Sequence, residues 1–246
     1  MIRKTLCALV VLVSTLGANT DNLFYVGPTW NVSKANLKDV GEFTGNRWGV
    51  VGGFEHFQRW NFYGNLEIEY FQGTLHDGQN NFELKQAVSF YNARLGYVLP
   101  FYTFDFTPYT GLSMQYIHET RRFTTSTSNS FKYYMPFIPF GIMAHANINE
   151  EWFVGLNYQF QMNFDSYLEI STLQGARWEL KPRTNQFVEL EISYQPVEIF
   201  SIRFIPYYHN YRIGSTTAST STGLQLGIPK QSYKTFGAAL EFALHF

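Results

Sequence analysis

The feature that most constrains this chain is an alternation of apolar and polar residues with a period of two. It is clearest between Trp152 and Phe164, where apolar and aromatic side chains alternate with glycine, asparagine and glutamine. Successive side chains of a β-strand point to opposite faces, so this pattern predicts a strand with one apolar and one amide-rich face. The last residues repeat it, with Phe242, Leu244 and Phe246 on the apolar face.

The same pattern recurs along the chain and predicts ten strands, with eight as the alternative count. Many of these segments exceed the usual length of strands in soluble sheets, about five or six residues, and reach the 9 to 11 that a tilted membrane strand needs. The segments run roughly over 23–32, 46–57, 61–72, 86–99, 104–117, 133–148, 152–164, 184–194, 199–213 and 235–246.

Connections between these segments alternate in length, and this alternation predicts the topology. The short ones lie near Gln58–Trp60, Pro100–Thr103, Asn149–Glu151 and Gln195–Glu198, and the long polar ones are Ser33–Asn46, Gly73–Lys85, Glu119–Lys132, Asp165–Arg183 and Gly214–Gln231. Short turns on one side, longer loops on the other and an even strand count are typical of transmembrane barrels. We therefore predict an all-β protein, a transmembrane antiparallel up-and-down β-barrel.

A soluble β-sandwich would also show alternating strands. Aromatic residues near the predicted strand ends favour the membrane, because an aromatic girdle marks each interface of a transmembrane barrel. These residues are Trp30, Trp48, Trp60, Tyr97, Tyr116, Trp152 and Phe164.

The N-terminus reads as a secretory signal peptide over residues 1–18, followed by one barrel domain over 19–246. Arg3 and Lys4 precede an apolar stretch that ends in small residues. That stretch is shorter than the roughly 20 residues of a membrane-spanning helix. The only cysteine, Cys7, lies within the signal, so we expect no disulfide or thiolate chemistry in the mature chain.

Composition excludes some functions. A net charge of -1 with 15% charged residues provides no basic surface for nucleic acid. No metal-binding, nucleotide-binding or nucleophile motif occurs, so no cofactor or metal is expected.

The terminal phenylalanine, with FYVGPTW at 24–30 and PYTGLSMQY at 108–116, resembles the small bacterial outer-membrane barrels of the OmpA, OmpX and OmpW type. The resemblance implies a location in the outer membrane of a Gram-negative bacterium, with its lipid and lipopolysaccharide as surroundings. It also implies that the barrel-assembly machinery recognises Phe246, Leu244 and Phe242 as an assembly signal. It implies no catalytic residue.

If the apolar faces meet lipid, the opposite faces place ionisable residues in the lumen. The predicted lumen charge network comprises Glu55, Glu67, Glu69, Arg94, Glu189, Glu191, Arg203 and Glu241. Neighbouring strands carry opposite charges, which can form directional ion pairs. The network can be a polar plug that fills a narrow barrel, or it can line a passage for cations or small polar solutes.

Two classes of function follow from the sequence. The first is a narrow porin-like channel, or a structural and surface-interaction barrel whose Ser and Thr runs at 124–130 and 215–222 face outward. The alternative is an outer-membrane hydrolase, either an omptin-like protease or a lipid A-modifying enzyme. Its site would lie at the extracellular rim around His76, Asp77, His118 and His209.

Overall fold

The computed structural model describes residues 21–38, 40–78, 82–122, 128–171, 177–219 and 225–246. The predicted signal peptide and part of each Ser and Thr run lie outside these residues. The strands are β1 (Asp21–Leu37), β2 (Gly41–Phe57), β3 (Phe62–His76), β4 (Glu83–Tyr97), β5 (Leu99–Phe101), β6 (Phe104–Arg122), β7 (Ser128–Asn147), β8 (Trp152–Asn163), β9 (Tyr167–Ile170), β10 (Arg177–Glu179), β11 (Thr184–Val197), β12 (Phe200–Ile213), β13 (Thr216–Ser219), β14 (Gln225–Ile228) and β15 (Gln231–His245).

Ten long strands close into one antiparallel barrel. Each pairs with its neighbour among the long strands along the chain, β6 pairs with β7, and β15 returns to pair with β1. Closure leaves no unpaired strand edge, which a hydrocarbon layer would not tolerate. The prediction of a ten-stranded up-and-down barrel is therefore confirmed, and the alternative count of eight is wrong. Within the described ranges, no helix is long and apolar enough to cross a membrane.

Several predicted long connections are wrong. The segment Ser33–Asn46 is largely strand, because β1 continues to Leu37 and β2 begins at Gly41. The strands around Gly73–Lys85 and Glu119–Lys132 also extend well into the predicted loops. Polar composition shows that a segment is exposed, but it does not show whether its backbone pairs with a neighbouring strand. The barrel therefore continues beyond the lipid layer.

The five short strands extend this framework. β9 pairs with β7, and β10 pairs with β9. The segment Asp165–Arg183 therefore extends the sheet beyond the extracellular end of the barrel. β13 and β14 form a separate hairpin in the segment Gly214–Gln231. β5 pairs with the start of β6 at the periplasmic end.

The outer face of the barrel carries a continuous apolar band. On β3 this band runs through Phe62, Leu66, Ile68 and Tyr70, all of which are exposed. Beyond Tyr70 the outward positions become polar, ending at the exposed His76. A change from apolar to polar along one strand face marks the edge of the hydrocarbon layer.

Aromatic contacts lie at both edges of this band. At the extracellular edge, Trp30 contacts Trp48 with ring centroids 5.9 Å apart, and Tyr116 contacts Tyr134 at 5.0 Å. At the periplasmic edge, Trp152 contacts Tyr194 at 4.8 Å. Amphipathic rings at both interfaces fix the depth of a barrel in the bilayer.

The C-terminal residues lie at the periplasmic edge on the closing strand. Phe242, Leu244 and Phe246 all face outward and are exposed. The Phe246 ring stacks on Phe24 at 5.3 Å, and its backbone N–H donates to the Asn22 carbonyl oxygen at 3.0 Å. The proposed assembly signal is thus part of the seam that closes the barrel.

We predict that Leu66→Arg, in the middle of the outward face of β3, lowers the free energy of unfolding by about 2–4 kcal/mol because a guanidinium would enter the hydrocarbon layer. His76→Arg, on the same face but beyond the apolar band, serves as the matched control and is expected to cost little. Denaturant unfolding in phospholipid vesicles measures both. Equal effects of the two substitutions would contradict the assigned membrane position.

Candidate functional site: the ionic lumen

All eight residues of the predicted lumen charge network point into the barrel. They lie at alternate positions on β2, β3, β4, β11, β12 and β15, the positions opposite the lipid-facing residues. The structure also brings most of them together around one cavity, of about 40 Å³, at mid-height in the barrel. Glu69 lies slightly above this group and lines a second cavity of about 20 Å³.

Arg203 is the centre of the lower part of the network. Its guanidinium makes a bidentate contact with Glu191 at 2.9 and 3.2 Å. It also lies 3.6 Å from Glu55 and 3.4 Å from Glu241. His145 approaches Glu191 from the other side at 3.7 Å. One buried cation therefore holds three carboxylates that come from three different strands.

Arg94 and Glu67 form the second pair. Arg94 Nη2 lies 3.3 Å from Glu67 Oε1, and the Asn92 amide donates to the same oxygen at 2.7 Å. Tyr25 connects the two parts of the network. Its hydroxyl donates to Glu67 Oε2 at 2.9 Å, and its ring lies 5.0 Å from the Arg203 guanidinium carbon.

The two remaining glutamates are held by neutral donors. Asn157 donates to Glu189, and Tyr109 donates in turn to the Asn157 side-chain oxygen at 2.7 Å. Thr29 donates to Glu69 at 3.2 Å. Buried carboxylates need such donors because an unsatisfied charge in a medium of low dielectric constant is strongly unfavourable.

The network carries more carboxylates than guanidinium groups. Six glutamates and three arginines, Arg47, Arg94 and Arg203, line the two cavities, with His145 as a further basic group. Such an excess of acid would suit a cation passage only if the lumen continued open to both ends of the barrel.

The lumen is instead filled above the network. Apolar side chains from eight of the ten long strands, all except β8 and β11, form one buried cluster in the extracellular part of the barrel. Among its members with at most 2% exposure are Leu37, Phe43, Leu75, Leu84, Val88, Ile117, Tyr133, Met135, Phe137, Leu168, Tyr211, Ile213 and Tyr233. Residues from the outer connections, Trp178, Leu180 and Ile228, complete this cluster from above. We call it the outer plug.

Sequence reasoning missed three further buried charges, Arg47, Glu119 and Arg121. Arg47 is fully buried, and its guanidinium donates to Asn31 at 2.9 Å, Thr235 at 3.0 Å and Gln86 at 3.2 Å. The sequence could have predicted the inward direction of Arg47, because Arg47 lies an even number of residues from Glu55 on the same strand and therefore on the same face.

Glu119 and Arg121 are the other two missed charges. Glu119 is fully buried within the outer plug and accepts hydrogen bonds from Arg121 at 2.6 Å, Gln86 at 2.7 Å and Tyr233 at 2.9 Å. The sequence placed Glu119 in a loop, because the predicted strand ended before it. Its burial depends on the extension of β6 above the lipid layer.

The residues of the hydrolase alternative are not brought together. His209 points into the barrel, where its ring lies 5.5 Å from that of Phe90. His118 points outward and exchanges a hydrogen bond with Ser130 at 2.8 Å. His76 and Asp77 lie at the upper end of β3, with His76 on the outer face. The wall of the barrel thus separates His209 from His118, so the expected grouping at the rim is wrong.

No metal-binding arrangement was found among the described residues, in the sense of three or more His, Cys, Asp or Glu side chains that could hold one ion.

Comparison with known proteins supports the fold alone. No family model matches the chain, and no curated protein matches it in sequence. The outer membrane protease OmpT from Escherichia coli matches in structure with a TM-score of 0.56 at 10% identity, over 94% of this chain and 98% of that chain.

Other solved barrels match less well. They include the translocator domain of the autotransporter NalP from Neisseria meningitidis, with a TM-score of 0.46 at 11% identity, over 100% of this chain and 95% of that one. OprG from Pseudomonas aeruginosa has a TM-score of 0.41 at 12% identity, over 92% and 95%. The match to OmpT, together with the closed barrel described above, shows that the protein has the fold of bacterial outer-membrane barrels.

We predict that Arg203→Gln destabilises the barrel by about 3–5 kcal/mol, because it leaves buried carboxylates without their cation. Arg59→Gln provides the control, since Arg59 pairs with Asp105 at an exposed periplasmic turn and such pairs contribute about 1 kcal/mol or less. Urea unfolding in detergent micelles compares the two. Adding Glu191→Gln to Arg203→Gln is expected to recover part of the loss, and no recovery would argue against the assigned pairing.

Proposed function

We propose that this protein is a closed, non-conducting barrel of the bacterial outer membrane, which serves as a structural element and presents its extracellular end to the surroundings. The observation that carries this proposal is the outer plug. Its side chains come from eight of the ten long strands, and many of them have an exposure of 2% or less. A channel for small polar solutes would need a continuous wet path through this region.

The ionic lumen fits the same function. Its groups form ion pairs and hydrogen bonds with each other across the barrel, from Arg203 on one wall to Glu55 on another. The cavity among them has room for a few water molecules, judged by the roughly 10–15 Å³ that one water needs. We interpret the network as a plug that fixes which strands face each other, and not as the lining of a passage.

The extracellular end supplies the presented surface. β9 and β10 lie above β7, and the β13–β14 hairpin stands above the strands that flank it. Both β9 and the β13–β14 hairpin contribute side chains to the outer plug, among them Leu168 and Ile228. These contacts support the extracellular surface from below, and a surface held in one conformation favours recognition by a partner.

We predict that the purified, refolded protein gives no single-channel conductance above background in planar lipid bilayers. Glu67→Gln combined with Glu69→Gln is expected to leave this result unchanged, because the block lies above both residues. Steps of conductance in the unmodified protein that change with these two substitutions would establish the channel and reject the proposal.

A variant with a weakened plug tests the assay. Phe43→Ala, Phe137→Ala and Tyr233→Ala together remove three rings that lie on different walls of the barrel. We expect this variant to conduct, provided that it still shows the altered gel migration of a folded barrel when unboiled. If it is folded and still closed, the outer plug is not what blocks the lumen.

A further inference from the structure

Basic side chains occupy the outer surface just beyond the extracellular edge of the apolar band. These residues point away from the lumen and lie on five strands: Lys34, Lys85, Lys132, Arg212 and Lys234. The whole chain has a formal charge of -1, so this belt is a local excess of positive charge. Glu42 offsets part of it, through an ion pair with Lys34 at 2.6 Å.

Three of the basic residues form a cluster on adjacent strands. Lys34 on β1 lies directly opposite Lys234 on β15 in the strand register. On the other side of β15, Lys234 faces Asn210, so that Arg212 lies diagonally across from it. Directly opposed side chains have Cβ atoms about 5 Å apart, and like charges at that distance repel.

This cluster is only partly neutralised within the protein, by the ion pair of Lys34 with Glu42. Among the described residues, neither Lys234 nor Arg212 has a carboxylate within ion-pair distance, and both side chains are exposed. Repulsion between neighbouring cations is relieved if an anion binds between them. The arrangement therefore favours an anionic ligand at this place on the wall.

The surface below the cluster is apolar and aromatic. Phe236 lies two residues from Lys234 on the same face, and its ring contacts that of Tyr208 at 4.6 Å. Below Lys34 the outward side chains are Val32 and then Trp30. A ligand with an anionic group at this cluster would place the rest of the molecule against the apolar wall below. An amphiphile with a charged headgroup and acyl chains has this arrangement.

We propose that Lys34, Lys234 and Arg212 form a docking site for a phosphate group of the lipid A part of lipopolysaccharide, with its acyl chains on the wall below. The position selects this ligand because the cluster lies at the extracellular interface, where the outer leaflet presents its phosphorylated headgroups. The site is on the lipid-facing surface and is independent of whether the lumen conducts.

The test compares two double variants that lose the same charge. Arg212→Gln with Lys234→Gln removes two cations of the cluster. Lys85→Gln with Lys132→Gln removes two cations at a similar height on β4 and β7, across the barrel from β15. All four residues lie on the outer surface, so both variants are expected to fold, and gel migration of unboiled samples checks this.

Binding of bisphosphorylated lipid A to the full barrel in mixed micelles is then measured by titration. We expect the Arg212 and Lys234 variant to bind at least tenfold more weakly than the unmodified protein, and the control variant less than threefold more weakly. We also expect lipid A without phosphate groups to bind the unmodified protein as weakly as the first variant binds intact lipid A.

Three outcomes would overturn the proposal. Equal losses in the two variants would mean a diffuse belt of charge without a defined site. Unchanged binding of lipid A without phosphates would remove the role of the anion. Displacement of lipid A by inorganic phosphate at an equal phosphate concentration would identify a site for free anions and not for a lipid.

Discussion

The rest of this structure depends on one constraint, which is that every backbone N–H and C=O group in the hydrocarbon layer must find a partner within the protein. The chain meets it by pairing β15 with β1 and so leaving no free strand edge. Closure then determines which residues share the interior. A side chain's direction follows from its position along the strand, because alternate residues face opposite sides of the wall.

Closure also concentrates charge. In a flat sheet Glu55 on β2 would lie three strands away from Arg203 on β12, whereas β11 and β15 pair with β12 in any case. Inside the barrel, Glu55, Glu191 and Glu241 all reach Arg203. Buried ion pairs of this kind add little net stability compared with apolar packing, but removal of one partner is costly. Their main effect is therefore to disfavour barrels in which the strands pair in another register.

The interior changes character with height. At mid-height it holds ions and amides, and above the lipid layer it holds the outer plug, in which the buried ion pair of Glu119 with Arg121 is the exception. The outer surface changes in the opposite sense, from apolar within the lipid layer to basic around Lys34 and Lys234 beyond it. Above the membrane the barrel thus resembles a soluble protein, with its apolar residues inside and its charges outside.

The sequence by itself determined the fold class, the number of strands and the inward direction of all eight charged residues, because these follow from a local period of two. The same rule placed Phe246 on the lipid-facing side. Tertiary structure decided which charges meet, how far the strands extend and whether the lumen is open. Arg203 contacts Glu55, three strands away, because the sheet curves into a barrel, whereas Glu241 lies directly opposite Arg203 on the neighbouring strand β15. The burial of Glu119 and the outward direction of His118 depend on the extension of β6 above the membrane, which local polarity does not encode.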